Sequence, residues 1–137
     1  MTIAWRSTMA IGDAGIDADH QRLIELINTV EMTVFASAGN AEISASLDQL
    51  VTYTNEHFER EENLMRCTSY NGLIHHRQSH RDLCLQLKKI RAEIETAEAK
   101  ALSTDEIEQL VVLLRHWLLD HVFKEDMLLK PFLKSLE

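Results

Sequence analysis

Three observations predict an all-α fold, an up-down-up-down antiparallel four-helix bundle with an extended N-terminal arm. Four long segments place apolar residues at alternating steps of three and four, the spacing that keeps side chains in one inward stripe. Only short punctuation separates them, at 37–40, 67–72 and 100–104, and such brief connections join antiparallel neighbours. One proline and four glycines in 137 residues leave few helix breakers,.

The elements follow in order. Residues 1–16, holding Trp5, Gly12 and Gly15, read as the arm, and 17–130 as the bundle of a single domain spanning 1–137. Asp17 is placed to cap the first helix, whose stripe runs His20, Leu23, Ile27, Val30, Val34,. Asn40 precedes the second, with Ile43, Leu47, Leu50, Thr54, His57, Glu61 and Leu64 inward. Asn71 precedes the third, which reads Leu73 or Ile74, then His76, His80, Leu83, Leu87, Ile90, Ile94, Ala97. Ser103-Thr-Asp-Glu106 is a capping-box pattern opening the fourth, whose stripe is Ile107, Leu110, Leu114, Trp117, His121,.

Composition narrows the function. Apolar residues make up 45% of the chain, enough for one real core,. With 14 Lys and Arg against 22 Asp and Glu the formal charge is −8, a field that repels nucleic acid and anionic membrane. The N-terminus lacks a basic region followed by an apolar stretch, and no apolar run reaches membrane-spanning length, so a soluble, cytoplasmic protein is expected,. Cys67 and Cys84 lie 17 residues apart without CxxC spacing. They read as reduced, buried or half-buried thiols.

The stripe that should be apolar carries His20, His57, Glu61, His76, His80 and His121, at least one from each helix. A lone buried histidine is usually a satisfied core residue. Five imidazoles and a carboxylate converging in a low-dielectric interior leave many lone pairs unsatisfied, at roughly 1–3 kcal/mol each, unless a cation gathers them. His57/Glu61 and His76/His80 are i,i+4 pairs, about 40° apart around a helix and about 6 Å along it, a chelating arrangement. Six donors exceed a four-coordinate zinc site and suit two metal ions better than one. His75 and His116 each precede a stripe histidine by five residues, pointing about 140° away, and belong on the surface. Asp126 stands five residues beyond His121, where regular periodicity makes it an exposed acid like Glu125. To be a ligand it needs the helix to distort or end near 121–126.

The series His20, His57-Phe58-x-x-Glu61-Glu62-x-x-Met65, Tyr70, His76-x-x-x-His80 and Trp117-Leu118-x-x-His121-x-x-x-x-Asp126 resembles the hemerythrin family, in particular the single-domain bacterial hemerythrins. Ile11-Gly12-x-x-x-Ile16-Asp17-x-x-His20 is similar too, so the likeness runs from Trp5 to Phe132. Asn71 and Asp19 depart from the pattern, at positions expected to touch no ligand. The resemblance implies two iron ions, ferrous or ferric, with an oxo or hydroxo bridge. By it, His76, His80 and His121 bind one iron, His20 and His57 the other, and Glu61 and Asp126 bridge both. The two-His iron keeps one open position, where O₂ binds and takes one electron from each iron.

Reversible O₂ carriage, storage or delivery is therefore the leading reading, with O₂ and an unidentified redox or O₂-consuming protein as partners. Leu118, Trp117, Ile24 and Leu114 would wall the O₂ pocket against water and protons, with plain core packing an equal account of each. No Ser/His/Asp set, Gly-rich phosphate loop or uncommitted stripe carboxylate points to an enzyme. The alternatives are a diiron sensor of O₂, redox state or nitric oxide, and an NO or peroxide reductase or iron-handling protein.

Overall fold

The structure is a computed structural model that describes residues 3–36, 39–96 and 103–137, with the side chains of Asn40, Thr96, Thr104, Ile107 and His121 also outside the described set. The predicted stripe positions Ala97, Ile107 and His121 therefore lie outside the described residues or side chains. Helix α1 spans Ala14–Phe35, α2 Asn40–Cys67, α3 Leu73–Thr96 and α4 Thr104–Arg115. Helix α4 runs on through a π-helical segment, His116–Phe123, into a last turn, Lys124–Asp126, and a C-terminal helix follows over Leu129–Ser135. Among the described residues there is no strand, and no helix is long and apolar enough to cross a membrane.

The predicted stripes form the core. Leu23, Ile27, Val30 and Val34 of α1 meet Ile43, Leu47 and Leu50 of α2, Leu83, Leu87, Ile90 and Ile94 of α3, and Leu110 and Leu114 of α4 in one buried cluster. Helix α2 packs against both α1 and α3, and α1 also against α4. At the α2 end Met65 is fully buried while Leu64 is only half-buried, and of the two candidates opening α3, Leu73 is half-buried and Ile74 is 84% exposed. Glu31 of α1 is buried against Arg115, which donates to it from Nε at 2.7 Å and Nη2 at 3.0 Å.

Helix starts correct the sequence reading by one to four residues. Asp13, not Asp17, caps α1, accepting from the Ile16 N–H at 2.9 Å. Asp17 sits in the first turn and accepts from the Ile11 N–H at 2.8 Å and the Gly12 N–H at 3.3 Å. That contact pins the arm, which turns at Gly12 with φ +102°, a conformation that suits glycine,. Gly39 precedes α2 and donates its N–H to Glu42, where Asn40 was expected to cap. Gly72 rather than Asn71 precedes α3, its carbonyl accepting from the His76 N–H at 3.0 Å. A side chain at Gly72 would meet the Tyr70 ring at 2.7 Å. The Ser103/Glu106 capping box forms as predicted.

The arm and the C-terminal helix close the end of the bundle where the polar stripe residues lie. Ile11 and Ile16 pack with Met65 and Leu129 in a second buried cluster. Further out the arm follows α1, with Ile3 and the Asn28 carboxamide exchanging two hydrogen bonds of 2.9 Å. Cys67 is exposed rather than buried, because it ends α2 at the surface; Cys84 is half-buried, and both are free thiols.

Candidate metal centre

Antiparallel packing brings the N-terminal halves of α1 and α3 beside the C-terminal halves of α2 and of the fourth helix. His20, His57, Glu61, His76, His80 and Asp126 thereby meet in the interior, each 3% exposed or less. The two carboxylates form the hub. Asp126 Oδ2 lies 2.6 Å from His20 Nε2 and 3.2 Å from His57 Nε2, and its Oδ1 lies 3.0 Å from His76 Nε2. Glu61 Oε1 lies 2.6 Å from His76 Nε2 and 3.2 Å from His80 Nε2, with Oε2 3.3 Å from His57 Nε2. The ligand atoms fall into two sets, His20/His57/Glu61/Asp126 and Glu61/His76/His80/Asp126, all within 4.8 Å of one another in each set. Glu61 and Asp126 belong to both.

The π-helical segment accounts for Asp126. In an α-helix residues five apart point about 140° from each other, whereas i→i+5 hydrogen bonding brings them towards one face. The segment His116–Phe123 therefore turns Asp126 into the core, to 1% exposure. This is the distortion the sequence reading required. The His121 side chain lies outside the described residues.

Behind the cluster stand two groups that sequence reasoning missed. Asp19, expected to touch no ligand, is buried and accepts from His57 Nδ1 at 3.0 Å, Tyr53 Oη at 2.8 Å, and Arg60 Nε and Nη2 at 2.9 and 2.8 Å. Burial works to raise its pKa, but the hydrogen bonds from His57, Arg60 and Tyr53 prevail and hold the carboxyl well below the usual carboxylate range,. On the other side Glu62 accepts from His80 Nδ1 at 2.9 Å and pairs with Arg77 Nε at 3.0 Å. Spacing held a signal for both. Ile16, Asp19 and Leu26 flank the main stripe of α1 and join Leu23 and Val30 at steps of three and four, and Phe58, Glu62 and Met65 follow the same steps beside the stripe of α2,.

These outer carboxylates decide what the cluster can hold. A neutral imidazole has one N–H. In His57 and His80 it is committed at Nδ1 to Asp19 and Glu62, so Nε2 offers a lone pair to the oxygens of Asp126 and Glu61. Acceptor then faces acceptor in a buried site, and Glu61 Oε2 has no hydrogen-bond partner among the described residues. Only positive charge resolves that arrangement, either a second proton on the imidazoles or a metal cation. Without metal, protons fill the role. Burial opposes the imidazolium, yet Asp126, Asp19 and Glu61 hold His57 well above the ordinary value, and Asp126 and Glu61 hold His76 at about 9 against the same burial. Burial likewise opposes ionised Asp126, and the imidazoles of His20, His57 and His76 keep it well below the carboxylate range. Nitrogen and carboxylate donors in this number fit first-row metal ions of the iron–zinc range. The residues present therefore fit a two-metal centre.

The remaining candidates are located as follows. His75 and His116 are exposed, the former 3.9 Å from Glu125 and the latter 2.5 Å from Asp120. Leu118, Trp117, Ile24 and Leu114 are all buried in the main cluster, and Trp117 Nε1 donates to the Leu83 carbonyl at 3.0 Å. Aromatic rings cover the ligand set, Phe123 with its centroid 4.6 Å from His20 and Phe58 stacked on His80 at 3.8 Å.

Comparison with known proteins agrees with this geometry. The family profile described as the hemerythrin HHE cation binding domain matches residues 12–133. A bacteriohemerythrin of Stenotrophomonas maltophilia is 27% identical over 124 residues, covering 90% of this chain and 76% of that protein. A bacteriohemerythrin of Ralstonia nicotianae is 28% identical over 134 residues, covering 96% and 88%. A myohemerythrin of Riftia pachyptila is 25% identical over 118 residues, covering 86% and 82%.

Proposed function

The chain belongs to the hemerythrin HHE cation binding domain family, whose members bind a diiron centre, and on that premise we propose that it binds O₂ reversibly in the bundle core as a carrier, store or delivery protein. The observation that carries this reading is the pair of buried donor sets sharing Glu61 and Asp126. His20 and His57 would serve one ion, His76, His80 and His121 the other, with the two carboxylates common to both. With His121 the second set would have one more protein donor than the first.

When bound, an iron pair supplies two electrons that can be lent to O₂ and recovered. The protein's own contribution is to fix and seal the site. Asp19 and Glu62 accept the Nδ1–H of His57 and His80, which orients each ring with Nε2 aimed inward, where its lone pair would meet the ion,. Leu118, Trp117, Ile24 and Leu114, 4% exposed or less, exclude water and with it the protons that drain a reduced oxygen species from the site,. Among the described residues the buried carboxylates of Asp19, Glu61 and Asp126 each face an imidazole and that of Glu31 is paired with Arg115, which favours binding over turnover,.

The test is the visible spectrum of the anaerobically reduced, iron-quantified protein before air, after air and after degassing. Two irons per chain and a charge-transfer band that appears in air and vanishes on degassing are expected. Rapid, irreversible conversion to the diferric form overturns the carrier reading in favour of a sensor or reductase.

A further inference from the structure

Between α2 and α3 the surface opens into a groove of about 690 Å³, a size that accepts a small organic ligand. On a chain of formal charge −8, this groove is lined by four cations, Arg66, Arg77, Arg81 and Lys88, against two acids, Glu59 and Glu62. Arg77 is engaged with Glu62 at 3.0 Å and Arg66 with Asn63 at 2.7 Å. Arg81 and Lys88 are exposed and carry no ion pair among the described residues. Residues 77, 81, 84 and 88 follow steps of four, three and four, so these cations share one face of α3.

The groove also has an apolar floor that reaches the metal centre. Phe58 and Leu85 line it together with the ring of His80. The His80 ring lies parallel to Phe58, 5° from coplanar at 3.8 Å between centroids. At its far edge, His80 Nε2 is 3.2 Å from Glu61 Oε1. One imidazole separates the groove from the donor cluster.

We propose that this groove binds a phosphate-bearing aromatic reductant, reduced flavin mononucleotide, and passes its electrons through His80 to return a diferric centre to the diferrous state. The inference rests on the diiron reading above. Arg81 and Lys88 suit the phosphate, and the exposed side chain of Leu85, 65% accessible, suits a face of the flat ring system,. A nicotinamide donor is disfavoured by the same geometry: hydride transfer needs contact with its acceptor, which the His80 ring blocks, whereas a flavin also performs one-electron chemistry. The reduced flavin gives up two electrons and two protons and becomes oxidised. Each ferric ion takes one electron, and the protons go to solvent.

The experiment has an iron-independent arm and a redox arm. Oxidised flavin mononucleotide is titrated into the zinc-loaded protein, following flavin fluorescence, and the reduced form is mixed anaerobically with the diferric protein, following visible absorbance. Arg81→Glu/Lys88→Glu is compared with wild type and with Lys130→Glu, all at matched helicity and metal content. Charge reversal is expected to weaken binding and slow reduction at least about tenfold, Lys130→Glu to change neither, and riboflavin, lacking the phosphate, to bind about tenfold more weakly. Affinity for the mononucleotide unchanged by the reversal overturns the proposal, as does binding that is lost without any slowing of reduction. The zinc-loaded arm reports on the groove whatever the iron protein does with O₂, so failure of the carrier reading and failure of the groove are separable.

Discussion

Replacing Asp19 by asparagine tests whether an outer carboxylate sets the chemistry of the cluster. The carboxamide keeps the shape but removes the charge and one acceptor edge, and its NH₂ must face a donor from Tyr53, His57 or Arg60. His57 then lacks the charged partner that fixes its proton at Nδ1. Loss of such a partner lowers metal affinity by about 10–100-fold, or about 1.4–2.8 kcal/mol. Stability of the metal-free protein falls separately. Arg60 is 46% exposed, so its pairing counts only at the surface value of about 0–1 kcal/mol,. The Tyr53 and His57 bonds to a buried charge are worth about 1.5–3 kcal/mol each, and the carboxamide retains part of that. A net loss of about 2–3 kcal/mol is expected. Metal affinity is read by competition with a chromophoric chelator and stability by urea denaturation, with Asp17→Asn, which touches only the arm, as control. Reduced stability with metal affinity within about twofold of wild type would show Asp19 to be a packing residue and refute the orienting role.

Four further outcomes are expected. Glu61→Ala, which removes a member of both donor sets, should abolish paired metal binding and destabilise the metal-free protein by about 3–5 kcal/mol; full occupancy by elemental analysis would remove Glu61 from the site. Leu118→Ala at a fully buried position should cost about 2–5 kcal/mol, keep iron and speed oxidation of the oxygenated protein, and an unchanged oxidation rate would deny it a gating role. Thr54→Val should raise thermal stability by about 1 kcal/mol, since the Thr54 hydroxyl is buried with no hydrogen-bond partner among the described residues,; a loss would reveal a partner for that hydroxyl. In metal-free protein the raised His76 pKa, about 9 against 6.5, supplies stability that is complete below pH 6.5 and disappears as pH rises through about 9, whereas metal affinity should rise over the same interval as protons leave the ligands. Urea titrations at pH 6 and 10 check the sign, and higher stability at pH 10 would contradict it.

The bundle was legible because its signal is periodic and redundant. Each stripe supplies several apolar residues at steps of three and four, so the histidines and Glu61 inserted into it stand out as violations with an address. Helix starts were less legible. Asp13 and Asp17 both have capping side chains, and only the turn at Gly12, which brings Ile11 back onto Asp17, decides that Asp13 caps the helix. Asp19 was read as harmless because it lies off the main stripe. A helix buried on more than one flank hides a second column, and Asp19 shares that flank with Ile16 and Leu26. Cys67 was misjudged because a thiol's chemistry says nothing of its depth when a helix happens to end at it.

Asp126 shows why periodicity fails where chemistry is densest. A regular helix would point it about 140° away from His121, and a buried carboxylate is expensive to create, so packing alone gives no reason to wind His116–Phe123 as a π-helix,. The arrangement is reasonable only if the carboxylate has something to meet. In the described residues it meets three Nε2 atoms, and of these the one on His57 is left without a proton by the Asp19 contact in the neutral tautomer. A cation between Asp126 and those nitrogens turns a repulsive contact into the strongest set of interactions in the core. The irregular helix and the mismatched acceptors are thus one fact: both are unfavourable in the protein alone, and both are relieved by the same positive charge.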